Sequence, residues 1–367
     1  MKKKMKKMAP MFLCCMIGGI AGFFGADALF VLKPSASEVL IAFAIMLIVY
    51  YIQVILHEGG HLIFGLLSGY QFVSFRVGSF IVYKTNGTYK VGKYKLTGTG
   101  GQCLMAPPDV EHDMIPYRLF NFGGAILNLV SVIPAAVLLV VGATSGFGRV
   151  FAILWCVIGL LSAIMNGIPM SMGAVDNDGK NAMNLGKNPK ALYAFWLQLK
   201  VNQMQMDGKT LLEMPGEWFE RPSYEEMDNP MVAVIGAMYC NYLMEAKNYE
   251  KTSQAIEEML KNASGLLPVH YMLLQIDQIY CEIMSTREAK ILENFQDKNL
   301  QKFMKAMKNY PSVIRTNYAY ARCIEKDEKK AERVKKQFGK IMSSHPNAAE
   351  LHTELEFISD CENTELS

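Results

Sequence analysis

Charge is missing where a soluble protein would carry it. Val39 to Leu56 is eighteen residues without a charged side chain, and Gln53 is its only strongly polar residue. A run of that length excludes an ordinary solvent-facing helix and reads as a membrane span. Net charge is also scarce, +3 from 37 Lys and Arg against 34 Asp and Glu, and no basic-aromatic cluster occurs, so nucleic acid is not an expected partner. None of the eight cysteines stands in a C-x-x-C pair, which excludes a zinc cage of that type. The scattered Cys240, Cys281, Cys323 and Cys361 read as reduced, buried thiols rather than a disulfide framework. Cys14-Cys15 lack the small residues that precede a lipoprotein cysteine and read as helix-packing thiols.

Hydrophobic residues make up 51% of the 367. They concentrate in the first 175 positions while charge crowds the second half, so a membrane-embedded part followed by a soluble part is expected. Lys2, Lys3, Lys4, Lys6 and Lys7 open the chain, and Pro10 to Leu32 is apolar apart from Asp27. That stretch is long for a signal-peptide core, so a retained span is expected, with the lysines on the cytoplasmic side. After a turn through Lys33-Pro34-Ser35, Val39 to Leu56 returns the chain inward. Tyr117 to Val141 and Phe151 to Pro169 are further spans, the former containing Gly123-Gly124 and Asn128, the latter ending near Asn166. Small residues permit close helix contact, and a lone amide in lipid needs an interhelical partner.

Between the second and third spans, residues 71–97 change to a looser alternation, and Asn86-Gly87 predicts a hairpin turn. Gly98 to Gly101 then interrupts regular structure. Such a hairpin is either a simple cover for the bundle or a strand edge able to hold an extended peptide. Lys190 to Val201 carries Leu192, Phe195, Trp196 and Leu199 on one stripe, predicting an amphipathic helix on a leaflet or against the next domain. A linker runs to Asp228. Helix pairs follow: Pro230 to Ala246 with Tyr249 to Lys261, Pro268 to Ile283 with Ala289 to Lys308, and Ser312 to Glu325 with Glu328 to Met342. Pro346 to Ile358 closes the series. The turns beginning Asn248-Tyr249-Glu250 and Lys326-Asp327-Glu328 look equivalent, and the pattern is similar to degenerate tetratricopeptide repeats.

His57-Glu58-Gly59-Gly60-His61 ends the second span. On a helix His57 and His61 share a face and Glu58 lies about 100° round, the arrangement of two metal ligands and a general base. A charge at the centre of a span costs about 2.5–3.5 kcal/mol on insertion scales, which a bound zinc and its hydrolytic water would offset. The competing reading is a buried His-Glu pair without metal. A catalytic zinc takes three protein ligands and a water; Asp176 and Asp178, just past Pro169, are the candidates for the third.

His57-Glu58-Gly59-Gly60-His61, Gly123-Gly124 with Asn128, and Asn166-Gly167-Ile168-Pro169 followed by Asp178-Gly179 together resemble the site-2 protease family of intramembrane zinc metalloproteases. The resemblance covers about residues 38 to 185. It implies one zinc ion held by His57, His61 and Asp178, Glu58 as general base, and Asn166 beside the site to bind substrate or the developing oxyanion. Three positions depart from the family pattern. Gly124 stands where a proline is common. Asp178 lies farther than usual from Pro169, leaving Asp176 as a rival ligand. Lys180 replaces the second glycine after the aspartate.

The expected fold is mainly α. A polytopic bundle of about four spans with a small β-hairpin insertion precedes a soluble helical, repeat-like domain. Expected boundaries are 1–37 for the first span and turn, 38–185 for the metalloprotease core, 186–228 for the amphipathic helix and linker, and 229–367 for the helical domain. The expected activity is zinc-dependent hydrolysis of peptide bonds in or near transmembrane segments or apolar signal-type peptides. The N-terminus and helical domain would face the cytoplasm from a multi-pass position in the cell (inner or plasma) membrane, where the C-terminal helices could recruit a protein partner. The rival expectation is a non-catalytic, membrane-anchored docking platform that keeps the protease fold. A proton-coupled transporter using Glu58 is a third reading, disfavoured by so few spans.

Overall fold

A computed structural model describes residues 34–95, 99–109, 114–172, 175–286, 289–342 and 345–363. The expected first span, 10–32, and the lysines before it lie outside the described residues. The chain divides into two compact units. One takes in the described residues up to Val77 together with 100–187, and the other takes in 78–99 and the residues from 188 onward.

In the first unit, helix α1 runs from Ala36 to Leu67. Ser35 caps it, with the Glu38 carboxylate accepting from the Ser35 N–H at 2.8 Å, a capping box that satisfies orphan donors of the first turn. Gly59, Gly60 and Gly65 all stay within the helix, and the first residue to take a left-handed backbone is Gly69, at φ +83°. The helix therefore continues past Leu56 and carries the whole His57–His61 motif. Helices α2 (Tyr117–Val140) and α3 (Gly146–Gly167) pack on it and on each other. All three are long and apolar enough to cross a membrane, with mean hydropathies of 2.7, 2.2 and 2.1. Polarity is distributed inside out: Leu40, Ile48 and Val140 are exposed, whereas Gln53 and Asn128 are buried. Strand β1 (Gln71–Val77) pairs antiparallel with β4 (Gly101–Ala106), Phe75 opposite Cys103 and Val77 opposite Gly101. The register slips between Phe72 and Ser74, so that Val73 and Ser74 are both buried. Beyond α3, the two-residue strands β5 (Ser171–Met172) and β6 (Val175–Asp176) lead into helix α4 (Asp178–Asn184).

In the second unit, β2 (Phe80–Thr85) and β3 (Thr88–Lys93) form a hairpin in which Asn86 and Gly87 take φ +47° and +77°. The Asn-Gly signal is therefore used as the sequence predicts. Four strands rather than one hairpin occupy the region from 71 to 106; the break expected over Gly98 to Gly101 gives way to strand β4 at Gly101. Helix α5 (Pro189–Met206) buries Leu192, Phe195 and Trp196, with Trp196 edge-on to Trp218. Its apolar stripe thus packs within the unit. Helices α6 (Pro230–Glu245), α7 (Tyr249–Asn262) and α8 (Pro268–Met284) follow. The helix expected over 289–308 is broken into α9 (Ala289–Glu293) and α10 (Lys298–Ala306), because the Asp297 side chain accepts from Asn299 and Leu300 N–H and caps a new start. Helices α11 (Pro311–Ala319), α12 (Glu328–Met342) and α13 (Ala348–Asn363) complete the unit. Lys247, just before the first of the turns that looked equivalent, and Lys326, which opens the second, share a left-handed φ of +57° and +55°. The core centres on Ile276, Ile279, Tyr280, Val313 and Ile314.

Candidate metal centre

Helix α1 carries His57 and His61 on one face, and α4 supplies Asp178. The Nε2 atoms of the two histidines are 3.2 Å apart. Asp178 Oδ2 lies 3.1 Å from Nε2 of His57 and 3.3 Å from Nε2 of His61. Ligands at about 2.0–2.2 Å around a tetrahedral ion stand about 3.3–3.6 Å from one another. The triangle is therefore close to the size a single small ion requires.

The far side of each ring fixes what those Nε2 atoms are. His61 Nδ1 faces the Phe120 carbonyl at 2.8 Å. A carbonyl only accepts, so Nδ1 carries the proton and Nε2 presents a lone pair. His57 Nδ1 lies 2.9 Å from Asn128 Oδ1. Asn128 Nδ2 donates to the Gln53 carbonyl at 2.9 Å and to Gln53 Oε1 at 2.8 Å, which orients the amide so that Oδ1 can only accept. His57 is thus held in the same tautomer. Two imidazole lone pairs and a carboxylate oxygen meeting within 3.3 Å repel one another unless a proton or a metal cation lies among them. This is the donor set of a metal site with its supporting shell in place. His57, His61 and Asp178 could hold a metal ion.

Close backbone contact positions the rings. A Cβ on Gly60 would fall 2.6 Å from the Gly123 carbonyl carbon, so only glycine lets α1 and α2 approach this far. The approach brings Phe120 and Asn128 within reach of the imidazoles. Asp178 is set by its neighbour Asn177, which caps α4 by accepting from Lys180 N–H. Asn177 also donates to the Met165 and Ile168 carbonyls at 2.6 and 2.7 Å.

Asp176, the rival ligand, pairs with Lys180 Nζ at 2.6 Å and accepts from Ser171 Oγ at 2.8 Å. It is not part of the cluster. Glu58 is buried and lies against the first residue of β4, where a Cβ on Gly101 would sit 2.5 Å from Glu58 Oε1. The Gly101 carbonyl accepts from Arg76 Nη2 at 3.3 Å. Asn166 donates to the Ser162 carbonyl of its own helix at 3.0 Å and is not among the groups that converge. Sequence reasoning did not identify Gln53, Phe120, Asn177 or Arg76. Gln53 did carry a signal, as the lone polar residue of its run, one helical turn before His57.

Compared with family models, curated proteins and solved structures, the chain matches none.

Proposed function

We propose that the chain is an intramembrane zinc metalloprotease that hydrolyses peptide bonds in or near membrane-spanning or apolar signal-type segments of other proteins. The observation that carries this reading is the triangle of two tautomer-fixed imidazoles and one carboxylate, set just past the apolar run of α1 with the buried Glu58 beside it. The donor types favour zinc: imidazole and carboxylate oxygen are borderline ligands that suit it, and three protein ligands leave a position open for water. Bound zinc supplies Lewis acidity and a water acidified to a pKa of about 7.

In that reading Glu58 takes the proton from the attacking water as its oxygen bonds to the scissile carbonyl carbon. Glu58 then delivers the proton to the departing amine as the C–N bond breaks. His57, His61 and Asp178 hold the ion; Asn128 and the Phe120 carbonyl keep the imidazoles in the ligating tautomer. Asn166 takes substrate or the developing oxyanion when its amide turns from the Ser162 carbonyl. Strand β4 ends the order of its sheet and has β1 as its partner, so its other edge can hold a peptide extended beside Glu58 by strand addition. The Lys-rich leader favours a multi-pass arrangement in a cell membrane, with the N-terminus and the C-terminal helices cytoplasmic.

The test compares membrane peptides from cells carrying the wild-type chain and the Glu58→Gln form, with zinc measured on both purified proteins. Cleavage should disappear in Glu58→Gln while zinc stays stoichiometric. Cleavage that persists rejects Glu58 as the base. A protein without stoichiometric zinc, in which His57→Ala changes nothing, rejects the protease in favour of a docking platform.

A further inference from the structure

Positive charge is unevenly neutralised on the second unit. On helix α12, Lys330, Lys335 and Lys336 pair with Glu325, Glu362 and Glu332. Helix α10 has no such compensation. From Lys298 to Asn309 the sequence holds four lysines and no Asp or Glu. No carboxylate therefore stands three or four positions from Lys302, Lys305 or Lys308, the spacing at which a helix pairs opposite charges. The ion pairs of this unit engage Lys190, Lys247 and the α12 lysines, and among the described residues none reaches those three. Asp297, the nearest acid in the sequence, is turned to the Asn299 and Leu300 N–H groups at 2.9 Å as the helix cap.

The fold gathers these cations on one side. Leu300 and Met304 are buried, so helical spacing sends Lys298, Lys302 and Lys305 to the opposite, exposed face of α10. Lys308, just past the helix end, joins Lys302 and Lys305 along a groove of about 490 Å³ that Asn317 of α11 completes. The Lys308 carbonyl accepts from Gln337 Nε2 of α12 at 2.7 Å. That contact brings Arg333 and Lys340, a helical turn to either side of Gln337, alongside the same flank.

A cationic face without counter-charges attracts polyanions, and the lining narrows which one. No aromatic ring borders the groove, so the bases of a nucleic acid would have nothing to stack on. No large apolar side chain is exposed between Lys298 and Lys308, so nothing there enters acyl chains and contact stays at the level of the headgroups. The Asn317 amide can donate to a phosphate oxygen. The same chain carries three helices long and apolar enough to cross a membrane. Those helices tether the unit to a bilayer and make lipid headgroups the polyanion of highest local concentration.

We propose that the face from Lys298 to Lys308 binds the phosphate headgroups of an anionic lipid leaflet, by charge alone. Each lysine at such a surface contributes about fivefold to partitioning, so Lys302, Lys305 and Lys308 together contribute about 100-fold. Salt screens the attraction. The proposal rests on the membrane-spanning reading of α1 to α3 and not on proteolysis, so a metal centre without activity would leave it standing.

The experiment places the full-length protein in nanodiscs of phosphatidylcholine, with or without about 30% phosphatidylglycerol. Exposed lysines are then methylated with formaldehyde, an uncharged reagent, and their rates are read by mass spectrometry. Lys302, Lys305 and Lys308 should react at least about fivefold more slowly in the anionic discs, and about 0.5 M NaCl should restore their rates. Lys251 and Lys261 on α7 serve as internal references and should change less than twofold. Equal rates in the two discs overturn the proposal, as does protection that survives salt. Equal protection of the α7 lysines overturns the assignment to this face. In phosphatidylcholine discs, inorganic phosphate or a DNA duplex should protect none of the three; protection by either replaces the lipid with that ligand. A protein that fails to enter the discs overturns the tether on which the proposal rests.

Discussion

Asn128→Leu gives the sharpest test of the metal centre, because it leaves all three donor atoms in place. In the wild type the Asn128 amide can only accept at Oδ1, since its Nδ2 is engaged by both oxygens of Gln53. That acceptor keeps the His57 proton on Nδ1. With leucine there, the proton is free to move to Nε2, which lies 3.1 Å from Asp178 Oδ2. A His57–Asp178 hydrogen bond would then form across the space an ion needs. Loss of one such supporting partner lowers metal affinity about 10- to 100-fold, or about 1.4–2.7 kcal/mol. The same substitution also strips Gln53 of a buried donor, which places the expected loss toward the upper end. Zinc affinity is to be measured on purified protein by competition with a chromogenic chelator. Asn166→Ala serves as the control, because that amide donates to Ser162 on its own helix and should leave the affinity unchanged. An affinity for Asn128→Leu within twofold of wild type, or an equal loss in Asn166→Ala, would refute the argument that hydrogen bonding sets the His57 tautomer.

Two predictions concern the helical unit. Arg315→Met leaves Asp277 and Glu354 buried without their counter-charge and should cost about 3–5 kcal/mol in denaturant unfolding. Replacing all three by apolar residues of similar volume should recover most of that loss; no recovery would mean the guanidinium acts through its packing on the Tyr280 ring, 4.6 Å away. Glu350 makes stability pH-dependent. Burial, reinforced by Glu354 and Asp277, raises its carboxyl to about 8. Tyr310, Arg315 and His345 also face it. The folded state then binds the proton more tightly than the unfolded chain, whose carboxyl titrates near 4.5. Stability must therefore fall as pH rises from about 4.5 through 8. Glu350→Gln should flatten that slope and raise stability at pH 9 by about 2–4 kcal/mol. Unfolding curves that are parallel in pH for the two proteins would show that Glu350 is ionised in the native state.

The parts legible in the sequence were those fixed by local pattern. The apolar runs of α2 and α3 predicted those helices to within a few residues at each end, because Pro116 and Gly142 bracket the first and Pro169 follows the second. The Asn86-Gly87 turn carried its own backbone preference. What the sequence concealed depends on partners distant in the chain. Strand β4 follows a glycine run that reads as a break, and its partner is β1, twenty-odd residues earlier. Helix α10 starts at an Asp297 cap that a continuous 289–308 pattern overrode. Asp176 and Asp178 were inseparable by spacing, although Lys180 held the answer: it stands four residues after Asp176 and pairs with it. The residue that departs from the site-2 protease pattern thus neutralises the competing carboxylate. Asn128 was readable as a polar residue in need of an interhelical partner, but nothing local in the sequence names His57 as that partner.

Gly124, another of the departures, follows from how the site is assembled. Its donors come from segments more than a hundred residues apart, and short side chains cannot bridge slack between helices, so the backbones themselves must touch. A Cβ on Gly123 would stand 2.8 Å from the Gly60 carbonyl carbon, and one on Gly179 would stand 2.5 Å from the Gly167 carbonyl carbon. Each distance is shorter than real Cβ contacts allow, so a single methyl at either crossing forces two backbones apart. The Nε2 and Oδ2 atoms, separated by 3.1–3.3 Å, would move apart with them. At Gly124 the neighbour is the imidazole itself. A Cβ there would lie 2.5 Å from His57 Nδ1 and 2.7 Å from its Nε2. A proline ring at that position would occupy the space of the ligand ring, so a helix crossing this tight admits only glycine at 124.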